Sequence, residues 1–182
     1  MSQVEPNAGS YSLWLLLCEE DEVWVRGLIS ALAGELGTEA FFPHVTLMGA
    51  LSEDPTQATA ALPALAESQP LFAAEIDGIG MQPSVFTAFF LRLRGHPALT
   101  ALHERAKDFG GGSVSAPMPF MPHISLAYGH IDEGVKRSLR ARLEGEFAGR
   151  SIRFDRIAYA YSGVDIPITR WRIDACVSLA YA

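Results

Sequence analysis

Two short segments of the chain repeat the same order of a proline, a histidine and a hydroxyl residue. They are Pro43-His44-Val45-Thr46-Leu47 and Pro122-His123-Ile124-Ser125-Leu126, and their histidines are 79 positions apart. In a β-strand, residues two apart project to the same face, so each histidine shares a face with its hydroxyl neighbour while the aliphatic residues point the other way. The pattern predicts two strands that each present an imidazole and a hydroxyl on one side.

Two imidazoles that face one cleft are suited to phosphoryl chemistry. The unperturbed pKa of histidine is ~6.5, so at neutral pH one ring can be neutral and act as a general base while the other is protonated and acts as a general acid. A hydroxyl beside each ring can donate a hydrogen bond to a phosphate oxygen in the transition state. We therefore predict that His44, Thr46, His123 and Ser125 form a catalytic site that requires neither a metal nor a cofactor.

Other interpretations of the histidines carry less weight. A single histidine on a half-buried strand is usually structural, and it is the repetition with matched hydroxyls that favours catalysis here. His96, His103 and His130 have no matched hydroxyl and are predicted to be surface or capping residues. A zinc site is disfavoured because the chain has no HExxH motif, no cysteine pair and no carboxylate set near the histidines.

Hydrophobic periodicity places the two segments in a series of interleaved strands and helices. The predicted strands are 10–18, 44–48, 72–79, 85–94, 123–128, 151–160 and 170–179, and the predicted helices are 19–37, 55–65, 97–109 and 132–143. Pro63 is expected to kink or split the second helix. One histidine segment falls in each half of the chain, which predicts an α+β protein of two related lobes that form a single bilobal domain over residues 1–182.

Composition limits the classes of partner. A content of 49% hydrophobic and 19% charged residues is typical of a globular protein. The formal net charge of −7 disfavours binding of a long nucleic acid, whose affinity rests on many Lys and Arg contacts, but it allows a small phosphorylated ligand. No signal peptide and no apolar run near the ~20 residues of a membrane span is found, so we expect a cytoplasmic monomer that does not bind membranes.

The two cysteines, Cys18 and Cys176, are too few for a disulfide framework or a thiolate zinc site. We expect both to be small buried side chains. A disulfide between them requires that the first and last strands be neighbours.

The repeated segments and their flanking residues resemble those of the 2H phosphoesterase superfamily. Within it, the chain is most similar to the cyclic phosphodiesterases of plants and yeast, which open ADP-ribose 1″,2″-cyclic phosphate and nucleoside 2′,3′-cyclic phosphates. The likeness covers nearly the whole chain and includes Tyr11-Ser12-Leu13-Trp14, both histidine segments, Tyr128 and the closing strand around Trp171. It implies a bilobal fold of two antiparallel sheets related by a pseudo-twofold axis, with helices outside and the active site in the groove between the sheets.

The resemblance also implies roles for individual residues. The histidines would be the general acid and base, Thr46 and Ser125 would bind phosphate, and Trp14 and Tyr128 would line the groove against a small cyclic-phosphate nucleotide. Strand alternation agrees for Trp14, because it faces away from Leu13 and Leu15, although core packing explains this indole nearly as well. Candidates for countering phosphate charge are Arg92, Arg94, Arg153 and Arg172, and a solvated sheet face explains them equally well.

Substrate choice is left open at this point. This chain lacks the cysteines of the plant enzymes. Its loop after the second helix and its glycine-rich loop at 110–116 also differ in composition from those of the plant enzymes. One alternative is an RNA 2′,3′-cyclic phosphodiesterase or 2′–5′ RNA ligase-like enzyme, against which the acidic charge and the presence of only two lysines speak. Another is a non-catalytic nucleotide-binding module on the same scaffold, which the intact histidine segments make less favoured.

Overall fold

Seven strands and four helices follow one another in the computed structural model, which describes residues 11–51, 54–67, 69–109, 119–147 and 149–180. The elements, in chain order, are β1 (Tyr11–Leu17), α1 (Glu19–Leu36), β2 (His44–Leu51), α2 (Pro55–Glu67), β3 (Phe72–Met81), β4 (Phe89–Leu93), α3 (Pro97–Lys107), β5 (His123–Ala127), α4 (Glu133–Phe147), β6 (Ser151–Tyr161) and β7 (Arg172–Ser178). A short 3-10 helix (Ile168–Arg170) precedes β7.

The same five-element unit, β-α-β-α-β, occurs twice, and β7 is added at the end. All pairings between these seven strands are antiparallel, and one isolated parallel bridge joins Pro70 and Ala180. In the first unit β1 pairs with β2 and with β6 of the second unit, and in the second unit β4 pairs with β5 and with β3 of the first. The two units therefore exchange their third strands. The resulting sheets, β2-β1-β6-β7 and β5-β4-β3, join where β3 pairs with β6, and the predicted α+β class with two related halves is confirmed.

Side-chain alternation on β1 separates two apolar clusters. Leu13 and Leu15 enter the main core with aliphatic residues of the helices, whereas Trp14 and Leu16 form a small second cluster with alanines of β6. The helices pack on the face that carries the main core, and each half contributes to the other: α1 contacts β5, and α3 contacts β2. The opposite face is thereby left open for a ligand, which matches the predicted orientation of Trp14.

Several local predictions are confirmed because they depend on neighbouring residues alone. Helix α1 ends at Gly37, whose backbone is left-handed (φ 66°) and donates to the carbonyl of Ala33. Helix α4 begins after Asp132, whose carboxylate accepts hydrogen bonds from the backbone N–H groups of Gly134 and Val135 at 2.7 and 3.1 Å.

Pro63 does not split its helix, contrary to one of the two outcomes that the sequence suggested. Helix α2 runs without interruption from Pro55 to Glu67, and Pro63 lies on its exposed side. At such a position the carbonyl that loses its helical partner is open to solvent, so the helix tolerates the missing N–H.

The predicted strand at 85–94 is wrong in its first part. Strand β4 begins only at Phe89, and the residues before it form a turn in which the backbone N–H of Gln82 donates to the carbonyl of Thr87 at 3.1 Å. The Thr87 hydroxyl also donates to the Gln82 side-chain oxygen at 2.7 Å. Two residues of this stretch, Phe86 and Thr87, line the catalytic cavity instead.

Both cysteines have free thiols, and β6 lies between their strands. Cys18 is half-buried and lies 3.2 Å from the Asp21 carboxylate, but Cys176 is exposed, so the expectation of two buried cysteines is wrong for the second. The glycine-rich stretch at 110–116 lies outside the described residues. Within the described part of the chain, no helix is long and apolar enough to cross a membrane.

Candidate active site

Each catalytic candidate histidine is the first residue of its strand and is oriented by the chain just before it. The ring nitrogen Nδ1 of His44 lies 2.7 Å from the carbonyl oxygen of Phe42, and Nδ1 of His123 lies 2.8 Å from that of Met121. A carbonyl can only accept, so Nδ1 carries the proton in both rings and Nε2 is left free. The intervening proline fixes the backbone in extended geometry, so the same local device sets the same tautomer twice.

One cavity of about 280 Å³ brings together most of the residues that the sequence singled out. His44, Thr46, His123, Trp14 and Tyr128 all line it. Strands β2 and β5 are the end strands of the sheet, and the contact between them brings the two histidine strands close together.

The two hydroxyls differ in their surroundings. Thr46 lies in the cavity wall and is exposed, and in the part of the chain described here its hydroxyl has no protein partner. Ser125 is buried and donates a long hydrogen bond of 3.4 Å to the carbonyl of Phe86. A bond of that length is weak. Ser125 is not among the residues that line the cavity, although it follows His123 on the same face of β5.

An aromatic ring from the preceding strand supports each imidazole. Trp14 lies opposite Thr46 in the β1–β2 register and stacks on His44, with ring centroids 3.8 Å apart and planes 12° apart. Phe90 lies opposite Ser125 in the β4–β5 register and meets His123 edge-on at 5.0 Å. These positions correspond in the two units. A side chain at Gly80, which pairs with Phe90 across β3–β4, would collide with that ring.

Burial lowers the basicity of both imidazoles. The pKa of His44 is lowered to about 4, chiefly by burial beneath Trp14 and further by the nearby charge of His123, against which the hydrogen bond to Phe42 acts. Burial also lowers the pKa of His123, again opposed by its backbone hydrogen bond. Burial raises the pKa of Tyr128 to about 12, and the Ser125 hydroxyl opposes part of this effect. Burial therefore favours the neutral form of both imidazoles.

None of the four arginines proposed from the sequence lines this cavity. Each is held in an ion pair: Arg92 with Asp77, Arg94 with Glu75, Arg153 with Glu20 and Asp21, and Arg172 with Asp174. The cavity lining contains no arginine or lysine among the described residues. Among the described residues of the lining, positive charge can therefore come from a protonated imidazole, and the ion pairs favour the alternative of a solvated sheet face for these arginines.

Sequence reasoning missed several residues of the site. Trp171 lines the cavity and lies 5.9 Å from Trp14, and Ser12, Phe86 and Ser162 also contribute to the wall. Phe90, which supports His123, precedes it by 33 positions, much as Trp14 precedes His44 by 30. This similar spacing between an aromatic residue and a histidine could have predicted the contact of Phe90 with His123. No local pattern distinguishes Ser162, which reaches the site only through the pairing of β6 with β1.

The remaining histidines have separate positions. His96 caps α3 by accepting from the N–H of Ala98 at 3.2 Å, and His130 is exposed, as predicted. His103 is buried, contrary to prediction: its Nδ1 lies 2.7 Å from the carbonyl of Leu47, and its ring stacks on Phe120 at 4.1 Å. Its place on α3 opposite β2 depends on packing between the two units. Across the described residues, no three His, Cys, Asp or Glu side chains group to hold a metal ion.

Comparison with known sequences identifies the family. The profile of the 2′-5′ RNA ligase superfamily matches residues 21–164, which contain both histidine segments. The chain therefore belongs to this superfamily, the 2H phosphoesterases, as the repeated segments predicted. The cyclic phosphodiesterase of Arabidopsis thaliana is 27% identical over 173 residues, which cover 93% of this chain and 94% of that protein.

Comparison with solved structures confirms the fold. TT0787 of Thermus thermophilus superimposes with a TM-score of 0.63 at 19% identity, over 94% of this chain and 98% of that chain. LigT of E. coli in complex with 3′-AMP superimposes with a TM-score of 0.58 at 18% identity, over 96% of this chain and 99% of that chain.

Proposed function

We propose that this protein hydrolyses the cyclic phosphodiester of a small nucleotide, such as a nucleoside 2′,3′-cyclic phosphate or ADP-ribose 1″,2″-cyclic phosphate. The observation that carries the proposal is the presence in one cavity of two imidazoles with the same tautomer, each with Nε2 free. Membership of the superfamily and the likeness to a cyclic phosphodiesterase support the same reaction class. The whole chain would act as one bilobal unit, because the units share their strands.

The reaction needs one proton acceptor and one proton donor. A water oxygen attacks phosphorus while the Nε2 of one neutral imidazole removes its proton. The bond from phosphorus to one ester oxygen breaks, and the Nε2–H of the other, protonated imidazole gives its proton to that oxygen. The net change is one water added and a phosphomonoester formed. The matched tautomers fit either assignment of His44 and His123 to these two roles.

Substrate binding would prepare the donor. Both pKa values are lowered in the unliganded site, so an anionic phosphate that enters brings a negative charge that favours protonation of one ring. Binding is then coupled to proton uptake, and the hydroxyls of Thr46 and Ser125 would hold the non-bridging oxygens. Trp14 and Tyr128 would form aromatic walls for the nucleoside.

Turnover of a cyclic nucleotide in EDTA tests the proposal. We expect wild-type protein to convert a nucleoside 2′,3′-cyclic phosphate to a single phosphomonoester at a rate that EDTA leaves unchanged, because the imidazoles supply both proton transfers. Phosphorus-31 NMR identifies the product and therefore the ester bond that breaks. Absence of turnover across nucleoside and ADP-ribose cyclic phosphates would contradict the proposal.

The choice between a small nucleotide and an RNA end is tested by comparing substrates. We favour a small nucleotide because the chain is acidic and the cavity has no arginine or lysine in its described lining. A long RNA with a 2′,3′-cyclic end is then expected to have a kcat/KM no higher than that of the matching mononucleotide. A strong preference for the RNA would assign the enzyme to RNA ends.

The pH dependence follows from the lowered pKa values. The general acid must be protonated and the base neutral, so kcat/KM falls at high pH as the acid loses its proton and at low pH as the base gains one. With His44 near 4 and His123 below 6.5, we expect a bell-shaped kcat/KM profile with its maximum on the acidic side of pH 6.5. The kcat profile should lie at higher pH, because bound phosphate favours the protonated ring. A flat kcat/KM between pH 5 and 8 would contradict two titrating imidazoles.

A further inference from the structure

A second cavity, of about 440 Å³, adjoins the catalytic one. Trp14 and Trp171 belong to the walls of both cavities. Phe42 borders the second cavity, and its carbonyl oxygen is the acceptor that orients His44. The second cavity therefore begins directly beside the first histidine, and the two tryptophans separate it from the reacting groups.

The lining of the second cavity differs chemically from that of the first. It includes the Arg26 guanidinium of α1, which is half exposed and lies over the Phe42 ring at 4.6 Å. Arg26 pairs at 3.0 Å with Glu22, a carboxylate that Arg156 also binds at 3.1 Å, so Glu22 keeps a partner if Arg26 turns toward a ligand. The hydroxyl residues Ser30 and Thr169 also border this cavity. Arg172 borders it as well, but its guanidinium is already engaged with Asp174. Aromatic walls, hydroxyls and one accessible arginine together suit a nucleoside that carries a phosphate.

The volumes of the two cavities also suit a nucleoside that carries a phosphate. Small-molecule sites are typically about 300–1,000 Å³, and the catalytic cavity alone, at about 280 Å³, is at the lower end of that range. It has room for a cyclic phosphate, its ribose and little more. The second cavity is larger than the first and shares the walls formed by Trp14 and Trp171 with it, so it is the adjoining space for the rest of a ligand anchored at the histidines.

We propose, on the basis of the function proposed above, that the second cavity binds the remainder of an extended substrate. That remainder is a further phosphate with its nucleoside, attached beyond the ribose that carries the cyclic phosphate. Two sources share this chemistry: the adenosine diphosphate portion of ADP-ribose 1″,2″-cyclic phosphate, and the penultimate nucleotide of an RNA end. Arg26 contacts the additional phosphate, and Phe42 and Trp171 contact the base or ribose.

The test compares three substrates: a nucleoside 2′,3′-cyclic phosphate, ADP-ribose 1″,2″-cyclic phosphate and a dinucleotide with a 2′,3′-cyclic end. The readout is the ratio of kcat/KM for each extended substrate to that for the mononucleotide, whose own turnover also shows that each variant is folded. We expect Arg26→Gln to lower this ratio about tenfold for at least one extended substrate, as loss of a charge-assisted hydrogen bond implies. The substrate that loses more identifies the source.

Two further variants separate this effect from general changes. Ser30→Phe places a ring in the second cavity and should lower the same ratio by obstruction, without altering charge. Arg94→Gln is the matched control, because Arg94 is exposed, paired with Glu75 at 3.0 Å and borders neither cavity; it should leave the ratio unchanged.

The outcomes are distinguishable. Hydrolysis of the mononucleotide with wild-type ratios in both Arg26→Gln and Ser30→Phe overturns the second site and leaves the proposed function standing. An equal fall in Arg94→Gln also overturns it, since the effect would then be one of overall charge. Failure of wild-type protein to hydrolyse any of the three substrates overturns the proposed function and this inference with it.

Discussion

Replacing either His44 or His123 by alanine is expected to lower kcat for a cyclic nucleotide by about 10²–10⁴-fold, the range typical of a lost general acid or base. Each imidazole has Nδ1 bound to a backbone carbonyl and Nε2 free, so under the proposed mechanism its proton transfer is lost with the ring. The measurement is steady-state turnover in EDTA, with circular dichroism as a check of folding.

His130→Ala is the matched control for these variants. His130 is exposed and caps no helix, so its loss should leave kcat within about twofold of wild type. The double variant of His44 and His123 should be little slower than the slower single variant, because both act in one proton-transfer sequence. Rates equal to wild type in both single variants would exclude the two-histidine mechanism.

Removal of the hydroxyls should have the next largest effect. We expect Thr46→Val and Ser125→Ala each to lower kcat by about 10²-fold with a smaller change in KM, because a hydrogen bond to a non-bridging oxygen strengthens as charge develops on it. Thr46→Val conserves the side-chain shape. Its effect therefore reports on the hydrogen bond alone.

The two hydroxyl variants differ in one respect that can be measured. Ser125 donates to the carbonyl of Phe86, so Ser125→Ala also removes a partner of a groove-lining segment, and its unfolding temperature should fall slightly. Thr46 has no such partner among the described residues, and its variant should unfold like wild type. Ser178→Ala, on the exposed side of β7, serves as the control for serine removal. An unchanged kcat in both hydroxyl variants would leave them without a catalytic role.

Much of the secondary structure could be predicted because its causes are local. The two histidine segments are strands, as the alternation of polar and aliphatic residues and the preceding prolines indicated. Gly37 and Asp132 end and begin helices through contacts within a few residues of themselves. Prediction failed at 85–88, where the apolar alternation matched a strand but the bonds between Gln82 and Thr87 close a turn.

Partners far apart in sequence could not be predicted in the same way. Arg153 was a reasonable candidate for binding phosphate. The exchange of β6 into the first unit places Arg153 beside Asp21, and the residues around Arg153 in the sequence do not indicate this ion pair. The burial of His103 has the same origin, since α3 of one unit packs on β2 of the other.

The sequence by itself indicated the candidate reacting groups and determined their local geometry. The order of proline, histidine and hydroxyl residue decides that each imidazole starts a strand, that its tautomer is set by the carbonyl two residues earlier, and that a hydroxyl lies on the same face. Only the tertiary structure decided that the two segments share a cavity and what their acidity is. Strand exchange joins the two units, and β2 of one contacts β5 of the other. Burial beneath Trp14 lowers the pKa of His44 to about 4, because a charged imidazole is unfavourable away from water, and that burial depends on tertiary packing rather than on neighbouring residues.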